Sequence, residues 1–115
     1  MDKLIINGPN KLSGSVKVSS SKNASLPILA ATILFPQEII FNELPGLSDI
    51  RFFVQILESL GAKTEGDNSR ISIQAGEINE TTADYDLVRK MRASILVLGP
   101  LLARFGQAKV SLPGC

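Results

Sequence analysis

The feature that most constrains this fold is an apolar repeat between Ser48 and Gly61. Apolar residues recur there at spacings of three and four, which is the spacing of one face of an α-helix. Ser48 or Asp49 can cap the start of this helix, and Gly61 is a typical stop. One face of the helix must therefore be buried against another layer of structure. The residues of that face are Ile50, Phe53, Val54, Leu57 and Leu60.

Short apolar segments on either side predict that the other layer is a β-sheet. Glu38–Asn42 is typical of a buried strand, and residues 63–65 and 71–74 flank a turn-rich segment that suits a strand pair. A helix that is apolar nearly all round is predicted from near Asn23 to Leu34, a start that keeps Pro27 within the first turn. The predicted fold class is α/β, a two-layer arrangement of helices on a sheet.

The two ends of the chain add further elements. Residues 4–6 and 12–18 predict two strands that form an opening hairpin. After a polar stretch, a long helix is expected over residues 86–105 with a bend at Gly99-Pro100, and a last strand over residues 108–112. No internal repeat and no low-complexity tract divides the chain.

Composition excludes several classes of function. The 115 residues are 44% hydrophobic, which suits one small packed domain, and a formal charge of +1 argues against a nucleic-acid partner. One Cys and no His exclude an internal disulfide, a His-ligated zinc site and a Ser-His-Asp triad. The longest uncharged stretch contains two prolines and falls short of the ~20 residues of a membrane span. With no secretory signal pattern at residues 1–10, we expect a cytoplasmic protein.

The first candidate site is the segment Ser19-Ser20-Ser21-Lys22-Asn23 before the apolar helix. Unpaired N–H groups and partial positive charge at a helix start, with hydroxyls and an ammonium beside them, suit a phosphate or a carboxylate. The alternative is an ordinary serine N-cap next to a solvated lysine.

Arg92 and Cys115 are the other candidates. On a continuous helix, Arg92 falls at the edge of the apolar stripe, where a partly desolvated guanidinium favours an anion, whereas Arg89 projects further toward water. The alternative is an ion pair between Arg92 and a neighbouring carboxylate, or a snorkelling side chain. Cys115 follows a Pro-Gly turn, which favours an accessible thiol, although a lone Cys is more often a small buried hydrophobe.

Several long segments, in this order, resemble the amino-terminal part of the enolpyruvyl transferase family, and within it the enzymes that act on UDP-N-acetylglucosamine. The resemblance spans the whole chain. It is strongest at residues 21–31 (SKNASLPILAA), 85–94 (YDLVRKMRAS), 99–106 (GPLLARFG) and 110–114 (VSLPG).

The resemblance implies an activity and a set of site residues. The implied reaction moves the enolpyruvyl group of phosphoenolpyruvate to the 3′-hydroxyl of UDP-N-acetylglucosamine in peptidoglycan synthesis, without metal or organic cofactor. Lys22, Asn23 and Arg92 match the family's substrate contacts. Cys115 matches its reactive thiol, a general acid that fosfomycin alkylates.

The resemblance also implies an architecture. The family has two domains, each an inside-out α/β barrel built from strand-helix units, and this chain would supply the first unit and the start of the second. Residues 1–20 would be opening strands that pack with the second domain, and residues 21–115 would begin the substrate-binding domain. The remainder of the same enzyme chain is thus an expected partner.

Two other functions stay open. A 5-enolpyruvylshikimate-3-phosphate synthase shares the fold and the first substrate, but typically has Lys-Ser where this chain has Lys22-Asn23. A noncatalytic anion-binding module of this length is the alternative from another class.

Overall fold

A computed structural model describes residues 2–112 and confirms the predicted helix-on-sheet architecture. Two 3-10 helices, Thr32–Leu34 and Arg92–Val97, join the regular elements. The α-helices are α1 (Lys22–Ala31), α2 (Ser48–Leu60), α3 (Tyr85–Val88) and α4 (Leu98–Phe105), and the strands are β1 (Glu38–Asn42), β2 (Lys63–Asp67) and β3 (Arg70–Gln74).

The sheet is antiparallel throughout, in the order β1-β3-β2. Ile73 in the central strand pairs with Ile39 on one side and Thr64 on the other, and its side chain is fully buried. The β2–β3 connection is so tight that a Cβ on Gly66, at φ +108°, would clash with the carbonyl oxygen of Arg70. Only glycine fits that position.

The helices cover one face of this sheet. α1 packs against α2 and against the 3-10 helix Arg92–Val97, while α4 packs against the 3-10 helix Thr32–Leu34. Together they enclose a core in which these large side chains are fully buried: Leu29, Ile33, Ile50, Phe53, Ile56, Leu57, Leu60, Ile73 and Leu101. The amphipathic face predicted for residues 50–60 is thus the centre of the core.

The predicted end of α2 is confirmed, and its predicted cap is wrong. Gly61 closes the helix in the left-handed conformation, at φ 117°. The N-cap residue is Leu47, whose side chain forms no capping hydrogen bond, while Ser48 is the first helical residue. Asp49 lies in the first turn, where its charge favours the helix start without capping it.

α1 begins one residue earlier than predicted, with consequences for Pro27. Starting at Lys22, the helix places Pro27 in its second turn rather than its first. Because proline has no N–H, the carbonyl of Asn23 loses its usual helical donor.

The long helix predicted over residues 86–105 is wrong, because it breaks into three pieces. The break is at Met91, whose backbone is extended, at φ −150° and ψ 120°, and whose side chain is buried. Ser94 reinforces it by donating from Oγ to the Met91 carbonyl, at 2.6 Å. The Gly99-Pro100 bend is also wrong, because Pro100 lies in the first turn of α4, where its missing N–H is tolerated.

The predicted strands at the two ends do not form as expected. Residues 2–20 contain no strand, so the opening hairpin is wrong, since no surface within residues 2–112 covers its apolar side chains. Leu4, Leu12 and Val16 are each at least 88% exposed. The strand over residues 108–112 is reduced to one parallel bridge between Lys109 and Thr82.

Candidate functional site

The start of α1 is held by its own serines. The Oγ of Ser21 accepts a hydrogen bond from the Ala24 N–H at 3.2 Å, and the Ser25 hydroxyl donates to the Ser21 carbonyl at 2.6 Å. The serine N-cap predicted as the simpler alternative is therefore present. It fixes the direction in which the next side chain, Lys22, leaves the helix.

Lys22 forms an ion pair, so the solvated lysine of the simpler alternative is wrong. Its Nζ lies 3.0 Å from Oδ2 of Asp49, and the two side chains are 39% and 36% exposed. Lys22 is the first residue of α1 and Asp49 lies in the first turn of α2, so the pair joins the starts of two packed helices. Both helix starts carry partial positive charge, which makes this junction suited to anions.

Asn23 lies next to the ion pair, as the second residue of α1, and its side chain is exposed. Its backbone carbonyl faces the position where Pro27 offers no N–H. Its predicted contact with substrate stays a prediction.

Arg92 is the first residue of the 3-10 helix that packs against α1. The helical-wheel argument for its position is wrong, because the chain is extended at Met91 just before it. Its guanidinium is exposed and forms no ion pair with any carboxylate in the part of the chain that the structure describes. Arg89, by contrast, pairs with Asp86 at 3.6 Å.

Cys115, the candidate reactive thiol, lies outside the described residues. Its role as general acid therefore stays a prediction. Residues 2–112 hold no group of three acidic, His or Cys side chains placed to bind a metal ion. None of the helices among these residues is long and apolar enough to cross a membrane.

Sequence reasoning missed a contact between the amino-terminal segment and the end of β1. Lys17 pairs with the Glu43 carboxylate at 2.6 Å, and Ser20 donates from Oγ to the Glu43 carbonyl at 2.6 Å. Between this segment and residues 43–47 lies a cavity of about 380 Å³. No sequence pattern indicates this contact. In the structure it coincides with an unusual backbone conformation, since Glu43 is a non-glycine residue with φ 59°.

Sequence reasoning also missed Arg104, in the last turn of α4. Its guanidinium donates to the carbonyls of Ile33 at 3.0 Å, Ala75 at 2.6 Å and Gly76 at 2.9 Å. It also lies over the Phe105 ring, 4.8 Å from the centroid. This arginine ties α4 to two other segments, at residue 33 and at residues 75–76, and no spacing in the sequence indicates it.

Three exposed groups away from this site have shifted pKa values. Hydrogen bonds from Ser69 lower the pKa of Asp67, and a hydrogen bond and the charge of Lys63 lower the pKa of Glu77. The same pair raises the pKa of Lys63, whose Nζ is 2.8 Å from Glu77.

Comparison with known proteins gives one family. The family described as EPSP synthase (3-phosphoshikimate 1-carboxyvinyltransferase) matches residues 6–115. Relatives named UDP-N-acetylglucosamine 1-carboxyvinyltransferase include those of Trichlorobacter lovleyi, 58% identical, and Geotalea daltonii, 57% identical, each over 114 residues. Each match covers 99% of this chain and 27% of the relative, so the chain spans about a quarter of the length of these proteins.

A solved structure shows the same fold. The enolpyruvyl transferase NikO from Streptomyces tendae superposes with a TM-score of 0.73 over 88% of this chain and 24% of its own, at 24% sequence identity. The predicted fold class, an α/β part of the enolpyruvyl transferase fold, is confirmed.

Proposed function

Because this chain belongs to the EPSP synthase family of enolpyruvyl transferases, we propose that it is part of an enzyme that makes enolpyruvyl-UDP-N-acetylglucosamine. The substrates are phosphoenolpyruvate and UDP-N-acetylglucosamine, and phosphate is released. Relatives that carry the name of this activity are 50–58% identical to the chain over nearly its whole length. The product is a precursor of peptidoglycan, and we place the enzyme in the cytoplasm.

The observation that carries the proposal is the position of Lys22. Its ammonium lies where two packed helices begin, and the 3-10 helix that starts at Arg92 packs against one of them. Lys22, Arg92 and the two helix starts supply positive charge that the Asp49 carboxylate offsets only in part, which favours a ligand with a phosphate and a carboxylate. Phosphoenolpyruvate carries both groups.

The chemistry is an addition followed by an elimination. A proton adds to C3 of phosphoenolpyruvate while the acceptor hydroxyl oxygen bonds to C2 and gives up its proton, which produces a tetrahedral phosphate ester. A C3 proton then leaves, the double bond re-forms, and the C2–O bond to phosphate breaks. Every charged species on this path is an anion, so Lys22 and Arg92 would act by electrostatic stabilisation, and Asn23 by hydrogen bonding to substrate.

Cys115 is the proposed proton donor to C3. A thiol in that role is also the group that fosfomycin would alkylate. We expect Cys115→Ser in the full-length parent to abolish covalent labelling by fosfomycin, measured as a mass increase of the intact protein. Labelling that persists in the variant would place the reactive thiol elsewhere.

We also propose how the chain fits into its parent. Residues 1–20 pack with the second domain, and residues 21–115 begin the substrate-binding domain. The exposed apolar side chains of the amino-terminal segment support this arrangement, since Leu4, Ile6 and Val18 each remain at least 81% exposed within this chain. The rest of the parent chain would supply the remaining site residues, so this segment alone should not turn over substrate.

A second candidate function is 5-enolpyruvylshikimate-3-phosphate synthase activity, which the description of the matching family favours. The two activities share phosphoenolpyruvate and differ in the acceptor. The noncatalytic anion-binding module is the third possibility, and it requires that the parent release no phosphate with either acceptor.

Phosphate release by the full-length parent separates these functions. We expect release with phosphoenolpyruvate and UDP-N-acetylglucosamine, and none when shikimate 3-phosphate replaces the sugar nucleotide. Release with shikimate 3-phosphate alone would instead support the second candidate, and no release with either would support the binding module.

A further inference from the structure

We propose that Asp49 is a positioning residue that holds the Lys22 ammonium in place for phosphoenolpyruvate. The inference rests on the proposed function and adds to it a residue on a different helix. It starts from the ion pair between Lys22 Nζ and Asp49 Oδ2, at 3.0 Å.

The location of Lys22 creates the need for such a partner. A lysine at a helix start is repelled by the partial positive charge of that end, and its flexible four-carbon stem lets the ammonium move away. Ser21 fixes the backbone at this point but forms no hydrogen bond to the ammonium. A fixed negative charge opposite the ammonium offsets the repulsion and limits the movement.

Asp49 is suited to this role because its carboxylate is not used to cap its own helix. The N-cap of α2 is Leu47, without a side-chain hydrogen bond, and the hydrogen bond found for the Asp49 side chain within residues 2–112 goes to Lys22. α2 is anchored in the core by Ile50 and Phe53, both fully buried, which makes its first turn a rigid base for the carboxylate.

Burial separates this ion pair from the others that the structure describes. The side chains of Lys22 and Asp49 are 39% and 36% exposed, whereas those of Lys63 and Glu77 are 68% and 69% exposed. Water therefore screens the first pair less than the second. The Lys63–Glu77 pair provides a matched control with the same charges at the surface.

The pairing leaves Lys22 able to bind a ligand. An ammonium has three N–H donors, and Asp49 takes one of them. The other two can donate to phosphate or carboxylate oxygens while the carboxylate stays in place. Asp49 thus acts through Lys22 and need not touch the substrate.

A double-mutant cycle in the full-length parent tests this role, with Asp49→Asn, Lys22→Ala, the double variant and Glu77→Gln as the control. We expect Asp49→Asn to lower kcat/KM for phosphoenolpyruvate about tenfold. In the Lys22→Ala background the same change should alter kcat/KM less than about twofold, since the group that Asp49 positions is gone. Glu77→Gln should leave kcat/KM within about twofold of the wild type, and Asp49→Glu should recover part of the loss.

The result that overturns the proposal is an unchanged kcat/KM in Asp49→Asn, or an equal loss with and without Lys22. An equal loss would mean that Asp49 supports the fold rather than the ammonium, and thermal unfolding of the same proteins would show it as a lower midpoint. If neither acceptor gives turnover, the proposed function fails, and calorimetric binding of phosphoenolpyruvate to the same proteins decides the positioning role by the same cycle. Absence of phosphoenolpyruvate binding to the wild type overturns both.

Discussion

Lys22 and Arg104 are both cations at the end of a helix, but they lie at opposite ends and in different surroundings. Lys22 opens α1, where the helix charge repels it, and it has one carboxylate partner. Arg104 lies in the last turn of α4, where the helix charge attracts it, and it donates to three backbone carbonyls. Lys22 therefore keeps N–H donors free at the surface, whereas the N–H donors of Arg104 are directed into the fold.

This difference indicates how to separate a structural cation from a functional one. A guanidinium that donates to three carbonyls in two separate segments stabilises the fold, because its removal leaves partly buried acceptors without donors. A cation at the unfavourable end of a helix is not explained by local stability. Residues that break a local rule of stability in this way are concentrated at functional sites.

The largest effect that we expect is on stability, from Arg104→Ala. Removing the donors to the carbonyls of Ile33, Ala75 and Gly76 should lower the free energy of unfolding by about 3 kcal/mol. Urea denaturation of the full-length parent measures it. A loss below about 1 kcal/mol would place Arg104 in the same class as an exposed cation.

Lys22→Ala should affect turnover strongly and stability little, the opposite of Arg104→Ala. We expect turnover to fall by a factor on the order of a hundred, because the proposed electrostatic stabiliser of an anionic transition state is lost, while the free energy of unfolding changes by less than about 1 kcal/mol. Steady-state kinetics and urea denaturation of the same preparation check both halves. Lys63→Ala, which removes an exposed lysine of β2, is the control, and unchanged turnover in Lys22→Ala would remove its proposed role.

Arg104→Lys sharpens the comparison with a smaller effect. Lysine keeps the charge at the favourable end of α4 but cannot reproduce the planar set of donors that reaches three carbonyls. We expect about half the stability loss of Arg104→Ala, measured by the same denaturation. Equal losses in the two variants would show that geometry, rather than charge, carries the whole contribution.

The smallest effect on stability that we expect is at Asp67, which serves as a reference for an exposed charge. The hydrogen bonds from the Ser69 hydroxyl and N–H hold its pKa in the folded state below the usual 3.8. Its contribution to stability is therefore present above pH 3.8 and lost as the pH falls through the lower folded-state pKa. In thermal unfolding, Asp67→Asn should have a lower midpoint than the wild type at pH 7 and the same midpoint at the acid end. A difference that persists in acid would contradict this origin.

The sequence predicts the parts of this fold that local rules decide. The face of α2, its stop at Gly61 and the β2–β3 pair follow from spacing and turn chemistry between residues close in the chain. The prediction of one long helix over residues 86–105 is wrong because the chain changes direction at Met91, so that α3 packs against α2 and the next 3-10 helix against α1, an arrangement that periodicity does not encode. The opening hairpin failed because its apolar side chains have no partner among residues 2–112.

The sequence likewise indicates some residues of the candidate site and not others. The segment Ser19–Asn23 was identified because a helix start has a recognisable pattern, and family resemblance supplied the roles of its residues. Asp49 and Arg104 were not identified as partners, because each contacts residues 27 to 71 positions away in the chain. Such contacts depend on how α1, α2 and α4 pack, which periodicity does not encode.

The exposed amino-terminal segment has a consequence for proteolysis. Lys3, Lys11 and Lys17 lie in residues without regular secondary structure, so trypsin would cleave this segment well before it reached the helices. In the full-length parent the same bonds should be protected if the second domain covers them. The rate of cleavage after Lys11 would thus report whether residues 1–20 have packed against the proposed second domain.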